Sequence, residues 1–96
     1  MVYKVETITI TDTSKGFTAA NLALARSQYG RDVKKVTCTN AVAQIRMWED
    51  GTDPTATVGH IVGIGSVFSV DGENSANFRA IRTSAVSGVL SVAYEV

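Results

Sequence analysis

The clearest pattern in the chain lies near its C-terminal end, where apolar and polar positions alternate. In residues 89–96 (VLSVAYEV), an apolar side chain recurs at every second position. Successive side chains of a β-strand point to opposite faces, so this spacing predicts a strand with one buried face. That face would carry Leu90, Val92, Tyr94 and Val96. A strand this regular is expected to lie well inside a sheet.

A second alternating run, residues 42–49 (VAQIRMWE), predicts another strand. Ala43, Ile45 and Met47 share one face, which is expected to belong to the core. The opposite face is expected to be half-exposed, and it carries Val42, Gln44, Arg46 and Trp48.

The remaining apolar runs are shorter and less regular. They predict strands at residues 2–11, 33–39, 60–64, 66–70 and 77–83. In the first run the apolar parity changes between Val5 and Ile8, which predicts a bulge or a change of partner there. In the last run Phe78 and Ile81 lie three positions apart, so strict alternation fails.

Residues 18–29 are the one stretch with helical features. Thr18 is a suitable N-cap, and Leu22, Ala25 and Tyr29 follow at near-helical spacing. Gly30 ends the stretch early. The pattern predicts one short helix at 18–29, with an irregular crossover as the alternative.

Six to seven short strands, with turns every 8–12 residues, predict an all-β protein. We expect a small antiparallel β-sandwich, Ig-like or jelly-roll-like, that forms a single domain over residues 1–96. Eight apolar side chains are predicted to form its core. They are Ile45, Met47, Phe68, Phe78, Ile81, Leu90, Val92 and Tyr94.

The strongest turn signal is the segment DGTDP at residues 50–54. Gly51 accepts a positive φ, and Pro54 biases Asp53 toward extended geometry. Asp50, Thr52 and Asp53 have side chains that bond nearby backbone N–H groups. We therefore predict a structural turn at Asp50–Pro54 that is held by backbone geometry and side-chain caps, without a bound ion.

The charge balance argues against several classes of partner. The chain has 9 Lys and Arg residues against 9 Asp and Glu residues, so its formal net charge is zero. Electrostatic binding of nucleic acid needs clustered cations, and none is expected here. No apolar run approaches the roughly 20 residues that span a bilayer, and the alternating N-terminus is unlike a signal peptide. We expect neither direct nucleic-acid contact nor membrane contact.

Candidate catalytic residues are scarce. The only histidine, His60, begins an apolar run and is interpreted as structural, and no serine lies in a G-x-S-x-G motif. Glu49, Asp50 and Asp53 lack the D-x-D-x-D-G spacing of a calcium loop. The lone Cys38 is interpreted as a small buried hydrophobe, with a reactive thiol or an intersubunit disulfide as alternatives. We predict no catalytic residue, no metal and no cofactor, and therefore not an enzyme.

Three arginines stand in otherwise apolar strands. Arg46, Arg79 and Arg82 are predicted to pair with Glu49, Asp50 or Asp53, or with a neighbouring subunit, because the guanidinium fork suits interface ion pairs. Together with Trp48 they are the candidate interface residues.

Two segments of the C-terminal half resemble small structural proteins of tailed bacteriophages and prophages. They are the "IR…DGT-PT…GH" segment and the following "NFRAIR" and "L-V-Y" strands, in that order. The matching residues are Ile45, Arg46, Asp50, Gly51, Thr52, Pro54, Thr55, Gly59, His60, Asn77, Phe78, Arg79, Ile81, Arg82, Leu90, Val92 and Tyr94. The chain departs from the pattern at residues 47–49 and in a longer polar region at 26–35.

The resemblance implies a role in virion architecture. The expected function is a capsid decoration (cement) protein that binds and stabilises the assembled major capsid lattice. A neck, collar or tail-associated structural protein is the alternative. The implied partners are the major capsid protein or other virion proteins, and the implied state is a homo-oligomer. A carbohydrate-binding module of a host-recognition device is the rival from another class, and it requires Trp48 and Tyr94 to be exposed together.

Overall fold

The computed structural model describes residues 1–96 and is mostly β, with 43% of residues in strands and 18% in helix. The elements in chain order are β1 (Val2–Ile10), α1 (Ala19–Tyr29), β2 (Lys35–Ala41), β3 (Ile45–Trp48), β4 (His60–Val62), β5 (Val67–Asp71), a 3₁₀ helix (Gly72–Asn77), β6 (Arg79–Arg82) and β7 (Gly88–Glu95). The all-β prediction is confirmed.

The strands form two antiparallel sheets. The larger sheet has four strands in the order β1-β7-β2-β5, and the smaller has three in the order β4-β3-β6. β7 pairs with β1 on one side and β2 on the other, as expected for the most regular strand. The strand order within the sheets differs from the ABED and CFG order of an immunoglobulin constant domain.

The two sheets share one core of 14 buried residues. Leu90, Val92 and Tyr94 enter it from β7, and Ile45 and Met47 enter it from β3, as their alternation predicts. These aligned apolar faces are the main source of hydrophobic stabilisation between the sheets.

Two predicted core residues are only half-buried. Ile81 lies opposite Arg46 on the outer face of the small sheet, while Ala80 lies opposite Met47 on the inner face. Phe78 and Ile81 were both predicted in the core, but only Phe78 is buried, and it precedes β6 and follows the 3₁₀ helix. Phe68 remains half-buried because β5 is an edge strand.

The irregularity in β1 lies elsewhere than predicted. The register with β7 shifts between Val2 and Lys4, and it is regular from Lys4 to Ile10. Val5 therefore pairs with Ala93 on the outer face and is 66% exposed. The apolar parity changes because the side chain of Val5 faces outward. No bulge lies between Val5 and Ile8.

The helix predicted at 18–29 is confirmed, but it is anchored differently. Thr18 is the N-cap residue and makes no capping bond. Its Oγ1 donates instead to Glu6 Oε1 on β1 at 2.7 Å, and Asn21 Nδ2 donates to Glu6 Oε2 at 2.7 Å. The hydroxyl of Tyr94 also donates to Glu6. The carboxylate thus connects the first turn of α1 to two strands.

This network shifts the ionisation of both acids in it. Partial burial opposes the charged form of Glu6, but the hydrogen bonds from Tyr94, Asn21 and Thr18 outweigh it and lower the pKa of the carboxyl. Burial, together with the charge of Glu6, raises the pKa of the Tyr94 hydroxyl. The pair is therefore a carboxylate and a protonated phenol at neutral pH.

The segment after β5 forms a 3₁₀ helix over Gly72–Asn77. Gly72 is required by a close approach, because a Cβ built on it would lie 1.6 Å from the carbonyl oxygen of Val33. Its N–H donates to the Lys34 carbonyl at 2.8 Å. The chain forms no helix with the length and apolar character needed to cross a bilayer.

Candidate docking surface

The predicted turn at Asp50–Pro54 is held by its own side chains. Asp50 Oδ1 accepts the Thr52 N–H at 2.9 Å, and that bond is the main cause of the lowered pKa of Asp50. Gly51 has φ 89°, and Ser14 Oγ donates to Asp53 Oδ1 at 2.8 Å. Pro54 is buried against the domain. The cap by Asp50 and the positive φ of Gly51 are confirmed, whereas Asp53 accepts the Ser14 hydroxyl instead of a backbone N–H and Thr52 caps no backbone N–H.

The second half of this loop is held by Thr55 and Arg46. Thr55 Oγ1 accepts the Val58 N–H at 3.0 Å and the Thr57 N–H at 3.3 Å. The Arg46 guanidinium donates to the carbonyls of Ala56 at 3.2 Å and Gly59 at 2.9 Å. Arg46 therefore fastens the loop to β3.

The predicted ion pairs between the arginines and Glu49, Asp50 or Asp53 are wrong. Arg79 donates to the carbonyls of Ala76 at 3.0 Å and Phe78 at 2.7 Å. Arg82 lies 3.4 Å from Ser87 Oγ and 3.9 Å from Asp12 Oδ2. The guanidinium of Arg79 thus bonds nearby backbone carbonyls, and the partners of Arg82 are a hydroxyl and the carboxylate of Asp12. Pairing with a neighbouring subunit stays a prediction.

Trp48 and Tyr94 do not form the exposed aromatic pair that a sugar-binding face requires. Tyr94 is fully buried, whereas Trp48 is half-buried and packs edge-on against His60 with ring centroids 4.9 Å apart. This arrangement counts against the carbohydrate-binding rival. His60 stands at the start of β4, as its interpretation as a strand-end residue predicted.

Groups with catalytic chemistry are not brought together. No three His, Cys, Asp or Glu side chains lie close enough to hold a metal ion. Cys38 is fully buried, which confirms its interpretation as a small hydrophobe, and burial raises the pKa of its thiol to about 12. A shallow groove of about 420 Å³ crosses the outer face of the large sheet, and it is lined mainly by Val, Thr, Ser and Ala.

The most distinctive surface is one end of the molecule, where three loops lie side by side. They are residues 41–44 (AVAQ), 63–66 (GIGS) and 83–88 (TSAVSG), and they contain no charged residue. Each loop exposes one large apolar side chain: Val42 at 59%, Ile64 at 68% and Val86 at 53%. We call these three loops the apolar tip.

Asn40, at the end of β2, joins the first two loops of the apolar tip. The residue is fully buried, and its Nδ2 donates to the carbonyls of Ala43 at 2.9 Å, Val62 at 3.0 Å and Gly63 at 3.2 Å. Its backbone N–H donates to the Ser66 carbonyl at 2.9 Å. One amide thus connects both sheets and two loops.

The third loop is fixed beside the first. Thr83 Oγ1 donates to the Gln44 carbonyl at 3.3 Å. At Gly88, a Cβ would lie 3.2 Å from the Ala43 carbonyl oxygen and 2.5 Å from Ile45 Cγ2. The loops therefore pack too closely at this point for a larger residue.

Val42 is held in a strained backbone conformation. Its φ is 75°, and the Ala43 N–H donates to the Ala41 carbonyl at 2.9 Å across it. This is a γ-turn with positive φ, which is rare, and a β-branched residue in it is a conformational outlier. Such strain costs on the order of 1–3 kcal/mol and is concentrated at functional sites.

Sequence reasoning placed Val42 in a strand and missed the apolar tip. The available signal was a single apolar residue within a loop of small residues, as in GIGS and SAVSG. That signal is weak, because an isolated exposed apolar residue is common on protein surfaces. Only the packing of three loops around Asn40 makes it distinctive.

No protein-family model, curated protein or solved structure matches this chain.

Proposed function

We propose that this protein is a non-enzymatic structural protein of a tailed-bacteriophage particle. Its specific role would be that of a capsid decoration (cement) protein, which docks on the assembled capsid lattice through the apolar tip. The observation that carries this proposal is the uncharged end formed by Val42, Ile64 and Val86, each more than half exposed. Clustered exposed apolar side chains mark interaction surfaces in soluble domains. The two-segment resemblance supports the virion as the setting.

The chemistry of the tip suits a protein partner. Because its loops carry no charge, docking buries no unpaired ion. Complete burial of one Val or Ile side chain contributes about 1.5–3 kcal/mol, so three partly exposed side chains contribute roughly 3–5 kcal/mol. Association itself costs about 4–15 kcal/mol, so the tip alone gives weak binding to a free partner.

Weak binding at each site fits a cement protein. A ligand that binds only the assembled lattice stabilises it by mass action, and the effect is repeated at every copy. The zero net charge also avoids long-range capture by packaged DNA or by other polyanions. The expected contact is a junction between major capsid subunits, where added buried area strengthens the shell.

The experiment uses particles that lack this protein. Purified protein is added back, binding is measured by co-sedimentation, and particle survival is measured after heating. We expect saturable binding to capsids and improved survival. If depleted capsids are as robust as complete ones and do not bind the protein, the cement role is wrong. Binding to isolated necks or tails instead would support the alternative placement in the virion.

A matched pair of variants tests the role of the tip. Ile64 lies on the tip, whereas Ile61 lies on the outer face of the small sheet with a similar exposure of 57%. We expect Ile64→Ser to weaken particle binding about tenfold, which corresponds to about 1.4 kcal/mol, while Ile61→Ser leaves it unchanged. Equal effects of the two substitutions would exclude the tip as the docking surface.

A further inference from the structure

The longest free sheet edge in the molecule belongs to β1. This strand has nine residues, against five in β5, three in β4 and four in β6. β1 pairs only with β7, and no backbone group of Val2–Ile10 is bonded along its other edge. An exposed edge of this length is a template for another strand. Val5, one residue before its middle, is 66% exposed.

The charges on β1 are arranged so that the strand complements itself. Lys4 and Glu6 flank Val5. In an antiparallel pair related by a two-fold axis through Val5, Lys4 of one copy lies opposite Glu6 of the other, twice. Opposite charges on facing residues stabilise a strand pair, and like charges destabilise it.

The neighbouring registers are disfavoured. A two-fold axis through Lys4 would place the two lysines opposite each other, and an axis through Glu6 would do the same with the two glutamates. A slip of one residue between the strands would place outward-facing Val5 opposite a residue of the other face. The register with its two-fold axis through Val5 places opposite charges on facing residues and keeps Val5 opposite a residue of the same sheet face.

We propose that two copies of this chain dimerise by antiparallel pairing of their β1 edges about Val5. The pairing joins two four-stranded sheets into one continuous sheet. Glu6 is already positioned by Thr18 and Asn21, so little side-chain freedom is lost when Lys4 of the second copy approaches. This inference does not depend on the virion role.

The dimer would carry two apolar tips. β1 ends beside the tip, because Ile10 pairs with Gly88 at the start of β7. Antiparallel pairing places the two tips at opposite ends of the joined sheet. One dimer would then bridge two docking sites on a particle. After the first tip has bound, binding of the second tip would be intramolecular.

The first test is cysteine cross-linking of the full chain. Facing residues of an antiparallel pair have Cβ atoms about 4.5–5.5 Å apart, within small adjustments of a disulfide. Under oxidised glutathione, two Val5→Cys thiols should join as a disulfide, with glutathione reduced. Val67→Cys is the matched control, because Val67 is 67% exposed on the other edge strand. The native Cys38 is buried and does not compete.

We expect Val5→Cys to give mostly covalent dimer on a non-reducing gel and Val67→Cys to give little. Thr7→Cys reports the register: two residues from the axis, the Thr7 positions of the two copies lie about 13 Å apart, beyond disulfide reach. Efficient cross-linking of Thr7→Cys, or equal cross-linking at positions 5 and 67, would overturn the proposal.

A second measurement needs no cross-link. Light scattering during gel filtration should give the mass of a dimer for the wild-type protein at high micromolar concentration. Val5→Lys should give a monomer, since it places two ammonium groups opposite each other, while Val67→Lys should remain a dimer. A monomeric wild-type protein, or a dimer that Val5→Lys leaves intact, would refute pairing through β1.

Discussion

The buried amide of Asn40 provides the sharpest test of how the two sheets are joined. Its Nδ2 donates to three carbonyls, and its Oδ1 has no hydrogen-bond partner. The orientation of the amide is determined by this environment, because three oxygens surround the nitrogen. Replacing Asn40 therefore removes the only donor shared by the loops at 41–44 and 63–66.

The cost of Asn40→Ala follows from these contacts. Each lost bond contributes about 0.5–1.5 kcal/mol net, and the truncated side chain leaves a small cavity. Removal of the unpartnered Oδ1 offsets part of this loss. We expect Asn40→Ala to lower the free energy of unfolding by about 2–4 kcal/mol.

Asn40→Asp tests the contribution of the hydrogen bonds separately from that of packing, since the aspartate side chain has the same shape as that of asparagine. The introduced carboxyl faces three carbonyl oxygens, so its neutral form is favoured and its pKa in the folded state lies above the unfolded value of about 3.9. The variant should be closest to wild type in stability below that pH. It should lose stability as the pH rises through the higher folded pKa.

Urea unfolding at several pH values measures both variants. Asn74→Ala is the control, because Asn74 is half-buried and its side chain makes no hydrogen bond. If Asn40→Ala changed the free energy of unfolding by less than about 1 kcal/mol, or if Asn40→Asp showed no extra pH dependence, the amide would not hold the sheets together as argued.

Four further outcomes are expected. Val42→Gly should leave the unfolding free energy unchanged or raise it by up to about 1 kcal/mol, because the strain at φ 75° is relieved, while particle binding falls; a clear loss of stability would contradict the strain. Glu6→Gln should flatten the loss of stability that the wild type shows as the pH falls below about 5, because the pKa of Glu6 is lowered in the folded state and the stability that this contributes above the unfolded pKa is lost on acidification. Leu90→Ala should cost about 2–5 kcal/mol in urea unfolding, because the side chain is fully buried. Gly51→Val should cost about 1–3 kcal/mol through its φ of 89°, measured as a lower midpoint of thermal unfolding, and an unchanged midpoint would show that the turn can relax.

Local patterns predicted the elements that repeat regularly. The alternation in β7 and β3 identified a strand with neighbours on both sides and a shared core face, because a period of two follows from strand geometry alone. The helix at Ala19–Tyr29 and the turn at Gly51 were also predicted, since spacing and glycine chemistry act within a few residues.

Contacts between distant residues were not predictable in the same way. The arginines were expected at acidic side chains, but Arg46 bonds the carbonyl of Gly59, which only the folded loop brings near. Thr18 was expected to cap its own helix, yet Glu6 lies close enough to accept its hydroxyl. In each case several acceptors of similar chemistry are available to the polar group, and tertiary packing decides which of them it bonds.

By itself, the sequence determined that this protein is all-β, that β7 lies inside a sheet, and that its charge does not favour polyanions. The tertiary structure decided the register of β1, the outward position of Val5 and the meeting of three uncharged loops around Asn40. The physical reason is the range of the interactions. Alternation and turn chemistry act between neighbours in the chain. The apolar tip and the free edge of β1, by contrast, exist only after remote segments have packed.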